Sequence, residues 1–173
     1  MQEFVPLQIA VVTVSDTRTE ENDTSGQYLI DSLKAEGHIL NQKHICKDDV
    51  DDLKSLVKSL IEADDIHAVL TTGGTGFTKR DNTVVALTPL LESKIDGFGE
   101  LFRQLSYTEI GSSTIQSRAF AGLSNNTVVF CMPGSTGACK TAWEGIIRDQ
   151  LDSRHRPCNF VDRIAARQGD KRG

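Results

Sequence analysis

Apolar positions along this chain alternate between near-continuous runs and helical spacings, and that alternation sets the architecture. Leu7 to Val14 is a β-branched, almost unbroken apolar run, the pattern of a strand covered on both faces. Thr24-Ser25-Gly26-Gln27 can form a capping box, and behind it Tyr28, Leu29 and Leu33 give an apolar helical face ending near Gly37. Ile39 to Cys46 reads as a weaker strand. Leu53, Leu56, Val57, Leu60 and Ile61 then follow the full i, i+3, i+4, i+7, i+8 spacing of an amphipathic helix.

A short strand, Ala68 to Leu70, runs into the hexapeptide Thr71-Thr72-Gly73-Gly74-Thr75-Gly76. Thr83 to Leu91 has helical character, with Pro89 either bending the helix or restarting it after Thr88. Phe98, Leu101, Phe102 and Leu105 are helically spaced, whereas Thr114 to Ala121 fits strand or helix. Thr127 to Met132 is a strand, Pro133 to Gly137 a loop, and a helix follows with Trp143, Ile146, Ile147 and Leu151 on its inner face. From Arg156 the pattern fades. The domain is therefore placed at residues 1–160, and residues 161–173 are read as a polar tail, extended or partly disordered unless it packs on a neighbouring subunit. Strands alternating with amphipathic helices imply βαβ units. The expected fold class is α/β, a three-layer α/β/α sandwich with a mostly parallel central sheet.

Composition narrows the ligand more than the fold. With 173 residues, 38% hydrophobic and 25% charged, the chain has the make-up of one ordinary soluble domain. Its net charge of −5 argues against sequence-independent nucleic-acid binding, which needs a basic face. A polyanionic ligand would need local positive charge from a metal, from helix N-termini or from a few basic residues. No apolar run approaches the roughly 20 residues of a membrane span, and the start Met1-Gln2-Glu3-Phe4 lacks the features of a signal peptide, so a cytoplasmic protein is expected. Cys46, Cys131, Cys139 and Cys158 form no CxxC pair and no zinc spacing, and read as packing or incidental thiols.

Parallel α/β sheets bind ligands at the carboxyl ends of their strands, and three features fall at that edge. One is the Thr71–Gly76 loop, followed five residues later by Asp81. Its glycines allow close backbone approach to an anion, and Asp81 suits a metal held beside phosphates. Taken alone, such a turn is as often a tight connection as a site. A second feature is Pro133-Gly134-Ser135, with Lys140 one turn into the next helix. Ser15-Asp16-Thr17, ending the first strand, is the third. Two anion-suited loops on one edge suit transfer between phosphates. The chain has no P-loop Gly-Lys-Ser/Thr, no G-x-G-x-x-G after the first strand, and Thr71-Thr72 where a response-regulator receiver would carry aspartate.

Simpler roles stand beside these. Asp48, Asp49, Asp51 and Asp52 precede a helix, where carboxylates are favoured. Asp16 can cap or brace its loop. Lys79 and Arg80 can counter phosphate charge or be ordinary surface residues. Trp143 reads as core, and His38, His44, His67 and His155 as solvated or capping. Glu20-Glu21-Asn22-Asp23 reads as a solvated loop or a lid.

The run Thr72-Gly73-Gly74-Thr75-Gly76, four residues and then Asp81 resembles the signature of the molybdenum cofactor biosynthesis family of MoaB, MogA and the gephyrin amino-terminal domain. Thr13-Val14-Ser15-Asp16 and Pro133-Gly134-Ser135 match in order and spacing, so the resemblance spans roughly residues 7–160. Gly97 to Glu100, Ser112 to Arg118, Met132 to Thr136 and Arg156 to Phe160 look most like the MoaB branch. The resemblance implies molybdopterin as ligand and, in catalytic members, its adenylylation: its terminal phosphate attacks the α-phosphate of Mg-ATP and releases pyrophosphate. That nucleophile is already anionic, so the work is alignment and charge neutralisation.

By position, Asp81 and Asp48 would be the functional carboxylates and hold Mg²⁺. Asp16 and the run Thr72, Gly73, Gly74, Thr75 and Gly76 would line the nucleotide or phosphate site. Pro133, Gly134 and Ser135 would meet the pterin or its phosphate. The family also implies a homotrimer or homohexamer, with Arg156 to Phe160 a candidate contact, and other cofactor-synthesis proteins as partners. One departure stands out. Catalytic members continue as Asp-x-Thr-Pro-Glu, whereas here Val84 and Val85 replace the proline and glutamate. Two readings stay open: a molybdopterin adenylyltransferase, and a module that binds or delivers molybdopterin without nucleotidyl transfer.

Overall fold

In the computed structural model, which describes residues 2–165, the first apolar run becomes β1 (Gln8–Val14), buried from Ile9 onward. It lies at the centre of the parallel region. β2 (Ile39–Cys46) pairs with one side of it and β3 (Ala68–Thr72) with the other, both parallel. β6 (Thr127–Met132) continues the parallel pairing beyond β3. Past β6 the sheet turns antiparallel, through β5 (Phe120–Ser124) to the two-residue edge strand β4 (Ser93–Lys94), giving the order β2-β1-β3-β6-β5-β4. The mostly parallel sandwich expected from the sequence is the fold observed.

Side chains of β1 alternate between two cores. Ile9 and Val11 face α1 (Thr24–Ala35), α4 (Asp96–Ile110) and α5 (Thr136–Ala142), while Ala10, Val12 and Val14 face α2 (Val50–Glu62) and α3 (Thr83–Leu87). α5 runs on through a π-helical segment, Trp143–Ile147, into α6 (Arg148–Gln150), which keeps Trp143, Ile146 and Ile147 on the buried side. Among the described residues, no helix is long and apolar enough to cross a membrane.

Several expectations are corrected. The cap of α1 is Asp23, one residue before the supposed capping box: its carboxylate accepts the Gly26 N–H (3.0 Å) and the Thr13 hydroxyl (2.7 Å). Asp23 is only 3% exposed, so the acid-rich loop ends in a buried residue rather than a solvated one. A carboxylate that reaches both the helix start and a strand hydroxyl outcompetes Thr24, whose own hydroxyl meets Thr136 (3.0 Å). Pro89 restarts the chain as a 3-10 turn, Thr88–Leu90. Thr114 to Ala121 is neither one strand nor one helix, but the end of a 3-10 turn, Gly111–Gln116, followed by the start of β5.

The supposed polar tail also begins with structure. Val161–Ile164 forms α7, with Val161 and Ile164 each 1% exposed in the larger core, so the packed domain runs past residue 160. The rest of that tail, from residue 166, lies outside the described residues. Arg156 to Phe160 folds back on its own body: Phe160 donates its N–H to the Gln150 carbonyl, and the Asn159 amide donates to the Ser153 and His155 carbonyls.

Two of the four histidines are buried at the start of β1. His38 accepts the Leu7 N–H (3.1 Å) and His67 the Gln8 N–H (2.8 Å), both through Nδ1. Burial, aided by His67 nearby and opposed by Asp152, pushes the His38 imidazole down to about 4. The folded protein therefore holds it neutral while the unfolded chain binds a proton near pH 6.5. Its contribution to stability is fully present above pH 6.5 and is lost as pH falls towards 4. Denaturant titrations across that window should show falling stability in the wild type and a flatter profile in His38→Gln, whose amide oxygen can still accept the Leu7 N–H. Ile164→Ala should cost about 2–5 kcal/mol by the same measurement; a change near zero would restore the reading of residues 161–165 as tail.

Candidate functional site

The carboxyl ends of β1, β3 and β6 lie side by side, and the two predicted loops meet there. Thr72, the last residue of β3, donates its hydroxyl to the Pro133 carbonyl (2.9 Å), and the Gly73 N–H donates to the Met132 carbonyl (2.9 Å). Gly73 is wedged against β1: at φ +109° a Cβ here would fall 2.2 Å from the Val14 carbonyl oxygen. Gly74, at φ +72°, leaves room for the Thr83 hydroxyl, which a Cβ would approach to 2.3 Å. Thr83 clamps the loop by donating that hydroxyl to the Gly73 carbonyl (2.8 Å) and its N–H to the Gly74 carbonyl (3.0 Å). Across the cleft, a Cβ on Gly134 would touch Gly73 Cα at 3.4 Å. The two loops are in contact.

Between them lies a cavity of about 430 Å³, lined by Gly73 to Gly76, Asp81, Pro133, Gly134 and Ser135. That size is ordinary for a small-molecule site. Ser135 caps α5, accepting the Ala138 N–H (3.1 Å). The other wall was not anticipated from the sequence: Phe102, Ser106 and Ile110 of α4 with Gln116 and Ser117 after it. A larger cavity of about 580 Å³ adjoins it and shares Ser117, but none of the glycine-loop residues or strand-end carboxylates lines it. The smaller cavity is therefore the candidate site, because the predicted chemistry converges there.

The three predicted carboxylates divide around Gly74. Asp81 lines the cavity. Burial works to raise its pKa, yet the Thr78 hydroxyl (2.6 Å) and N–H (2.9 Å), the Gly76 N–H and the charge of Arg118 outweigh it and hold the group below the usual range. Asp16 and Asp48 lie outside the lining, on the other flank. Asp16 is ion-paired with Arg80 and accepts the Asp48 N–H (3.1 Å), which together hold its pKa low. Asp48 accepts the Asn82 N–H (2.9 Å), but burial, with the nearby Asp81 and Asp16, leaves its pKa raised. Among the described residues, no group of three or more His, Cys, Asp and Glu is placed to hold a metal ion.

Arg118 was missed. It donates through two nitrogens to the Gly76 carbonyl, Nε at 3.0 Å, and its guanidinium lies 4.6 Å over the centre of the Phe77 ring. Its N–H also meets the Thr75 carbonyl (3.0 Å), so β5 and the turn before it fix the far end of the glycine loop. The only sequence signal was its place in the MoaB-like stretch from Ser112. Lys140, conversely, lies among Glu109, Thr141 and Glu144, outside the site.

The sequence profile of the family described as "Probable molybdopterin binding domain" matches residues 10–153. The molybdenum cofactor biosynthesis protein B of Escherichia coli (strain K12) is 54% identical over 158 residues, covering 91% of this chain and 93% of that one. The chain belongs to the MoaB family. The molybdenum cofactor biosynthesis protein B of Bacillus subtilis (strain 168) is 48% identical over 142 residues, covering 82% and 84%. A crystal structure of molybdenum cofactor biosynthesis protein B superposes with a TM-score of 0.84 at 47% identity, covering 87% and 94% of the two chains. The tungsten cofactor synthesizing protein MoaB from Pyrococcus furiosus gives 0.72 at 37%, covering 82% and 90%. A MogA structure at 20% identity shares the fold, with a TM-score of 0.74.

The geometry makes a contrast between two glycines testable by denaturant unfolding. Gly73→Ala, forced into a backbone oxygen at positive φ, should lose more than about 3 kcal/mol or fail to fold. Gly134→Ala, meeting only ordinary contact distances, should lose less than about 1 kcal/mol.

Proposed function

We propose that the chain serves molybdenum cofactor biosynthesis by binding molybdopterin in the cavity between the Thr72–Gly76 and Pro133–Ser135 loops. The observation that carries this reading is the contact of the two loops at Gly73 and Gly134, which brings two strand-end turns around one small-molecule cavity. A phosphate group suits the glycine loop, where Gly73, Gly74 and Gly76 line the cavity and the lack of side chains lets an anion approach the backbone closely. The opposite wall suits a pterin. Ile110 offers apolar surface over the buried Phe102, and Ser106, Gln116 and Ser117 offer partners for the ring's polar edge.

A second reading, adenylyl transfer from Mg-ATP to the bound molybdopterin, is favoured by the state of Asp48. Burial first, and the charges of Asp81 and Asp16 after it, disfavour its ionised form, and a divalent cation would offset all three. Asp48 and Asp81 would hold Mg²⁺, whose part is to neutralise phosphate charge, and ligand phosphates would complete its oxygen shell. The glycine loop would align the α-phosphate with the molybdopterin phosphate, and pyrophosphate would leave. Against this stands α3: Val84 and Val85 occupy the positions of proline and glutamate in catalytic relatives, and Val85 is 60% exposed with no charge to offer. The binding reading is therefore the conclusion.

Titrating the protein with molybdopterin should give saturable one-site binding. Gly134→Asp, which sets a like charge against the phosphate, should weaken it by at least roughly tenfold without unfolding the protein. Absence of binding to the wild type would sink the reading. With Mg-ATP added, little or no adenylylated pterin is expected where a catalytic relative makes it; stoichiometric product would promote the second reading.

A further inference from the structure

One flank of the glycine loop is gripped by Arg118. On the other, four residues close into a chain of bonds for which the binding reading has no use. Arg80 is ion-paired with one oxygen of Asp16. The other Asp16 oxygen accepts the Asp48 N–H (3.1 Å), Asp48 Oδ1 accepts the Asn82 N–H (2.9 Å), and the Asn82 amide donates back to the Asp48 carbonyl (3.0 Å). Arg80 and Asn82 bracket Asp81, so the segment carrying Asp81 is tied at both ends to the loops that follow β1 and β2. The chain abuts the glycine loop, because a Cβ on Gly74 would lie 3.2 Å from Asp48 Oδ2.

Arg80 is the outer member of this chain, its side chain 73% exposed against 26% for Asp16. One of its nitrogens meets Asp16, whereas a guanidinium carries five N–H donors in a fixed fork matched to phosphate. Exposed ion pairs add little to stability. This one is therefore easily exchanged for an acceptor of higher charge, and a phosphate group near neutral pH carries close to two negative charges where Asp16 carries one. The carboxylates of Asp16, Asp48 and Asp81 would otherwise repel such a group. The pairing thus keeps a cation on the outer flank of the glycine loop, beside three carboxylates, until a suitable anion arrives.

We propose that Arg80 is a phosphate-binding residue held in reserve by Asp16, and that a phosphate group entering beside Gly74 takes the guanidinium over from the Asp16 carboxylate. This rests on the reading that a phosphorylated ligand occupies the two-loop cavity. It assigns Asp16 a different task from ligand contact: Asp16 positions Arg80 and selects doubly charged phosphate groups over singly charged anions.

The test is a double-mutant cycle read by calorimetric titration with inorganic pyrophosphate, with melting curves confirming that each variant is folded. Asp16→Asn is suited to it, since the amide oxygen still accepts the Asp48 N–H while the charge on Arg80 is released. Arg80→Ala should weaken pyrophosphate about tenfold. Asp16→Asn should tighten it by roughly threefold or more, and that gain should vanish when Arg80 is alanine. Equal tightening with and without Arg80 would mean simple charge repulsion and overturn the proposal, as would pyrophosphate that does not bind or binds Arg80→Ala unchanged. Molybdopterin is titrated in parallel. Arg80-dependent pyrophosphate binding without molybdopterin binding removes the functional reading and leaves this one. Molybdopterin binding with pyrophosphate indifferent to Arg80 removes this one alone.

Discussion

The approach of Gly73 to the Val14 carbonyl is the constraint on which the site depends. Parallel pairing of β1 with β3, and of β3 with β6, brings three strand ends to one edge in register, Thr13 beside Thr72 and Thr72 beside Met132. The chain leaving β3 must then turn within the space those ends allow. It does so with Gly73 bonded to the Met132 carbonyl and pressed on β1, where a side chain does not fit. From that turn everything else is positioned: Thr83 locks the loop from α3, Arg118 from the segment before β5, and Gly134 closes on it from the opposite side. A core substitution that separated β1 from β3 by an ångström would dissolve the cleft without touching a residue that lines it.

Most of the parallel part of the sheet was legible because burial on both faces leaves continuous apolar runs, and β6 begins and ends where its run does; β2, a half-buried edge strand with Asn41 to His44 at its middle, carried only the weaker signal. The antiparallel edge was not. β5 joins β6 through Asn125-Asn126, both at positive φ (48° and 62°), a two-residue hairpin turn. Asparagine tolerates that region, but without a glycine the pair carries a weak hairpin signal. β4 is two exposed residues long and carries no pattern at all. The tail misled for a related reason. Val161 and Ile164 are single apolar residues in a charged stretch, and their spacing says nothing until the core groove that receives them is known.

Site residues were legible where spacing is short and fixed by a turn, as for Thr72 to Gly76 with Asp81. The acidic run before α2 shows the limit. Asp49 caps the helix, accepting the Asp52 N–H (2.9 Å), and Asp51 and Asp52 occupy its first turn. Only Asp48 turns back towards Asn82 and Gly74, and nothing local distinguishes it from its neighbours; the family resemblance did. Arg118 escaped altogether, because its partners Gly76 and Asp81 are 42 and 37 residues away and are reached through backbone carbonyls. Asp23 was concealed by its acidic neighbours. It is the one whose carboxylate reaches Thr13 inside the sheet.

A chain of net charge −5 can hold a phosphate only if the carboxylates around the cleft are answered locally. Most are. Asp81 is answered by Thr78, Gly76 and Arg118, Asp16 by Arg80, and Asp23 by Thr13, Gly26 and Lys43, the last at 3.6 Å. Asp48 is the exception, with a raised pKa and two carboxylates nearby. On the adenylyl-transfer reading, and because Val85 adds no charge, a divalent cation at this site would fall to Asp48 and Asp81. Two carboxylates retain Mg²⁺ well only when ligand phosphates supply further oxygens. Cation affinity would then rise and fall with occupancy of the cleft, making a metal part of ligand binding here rather than a resident of the empty fold.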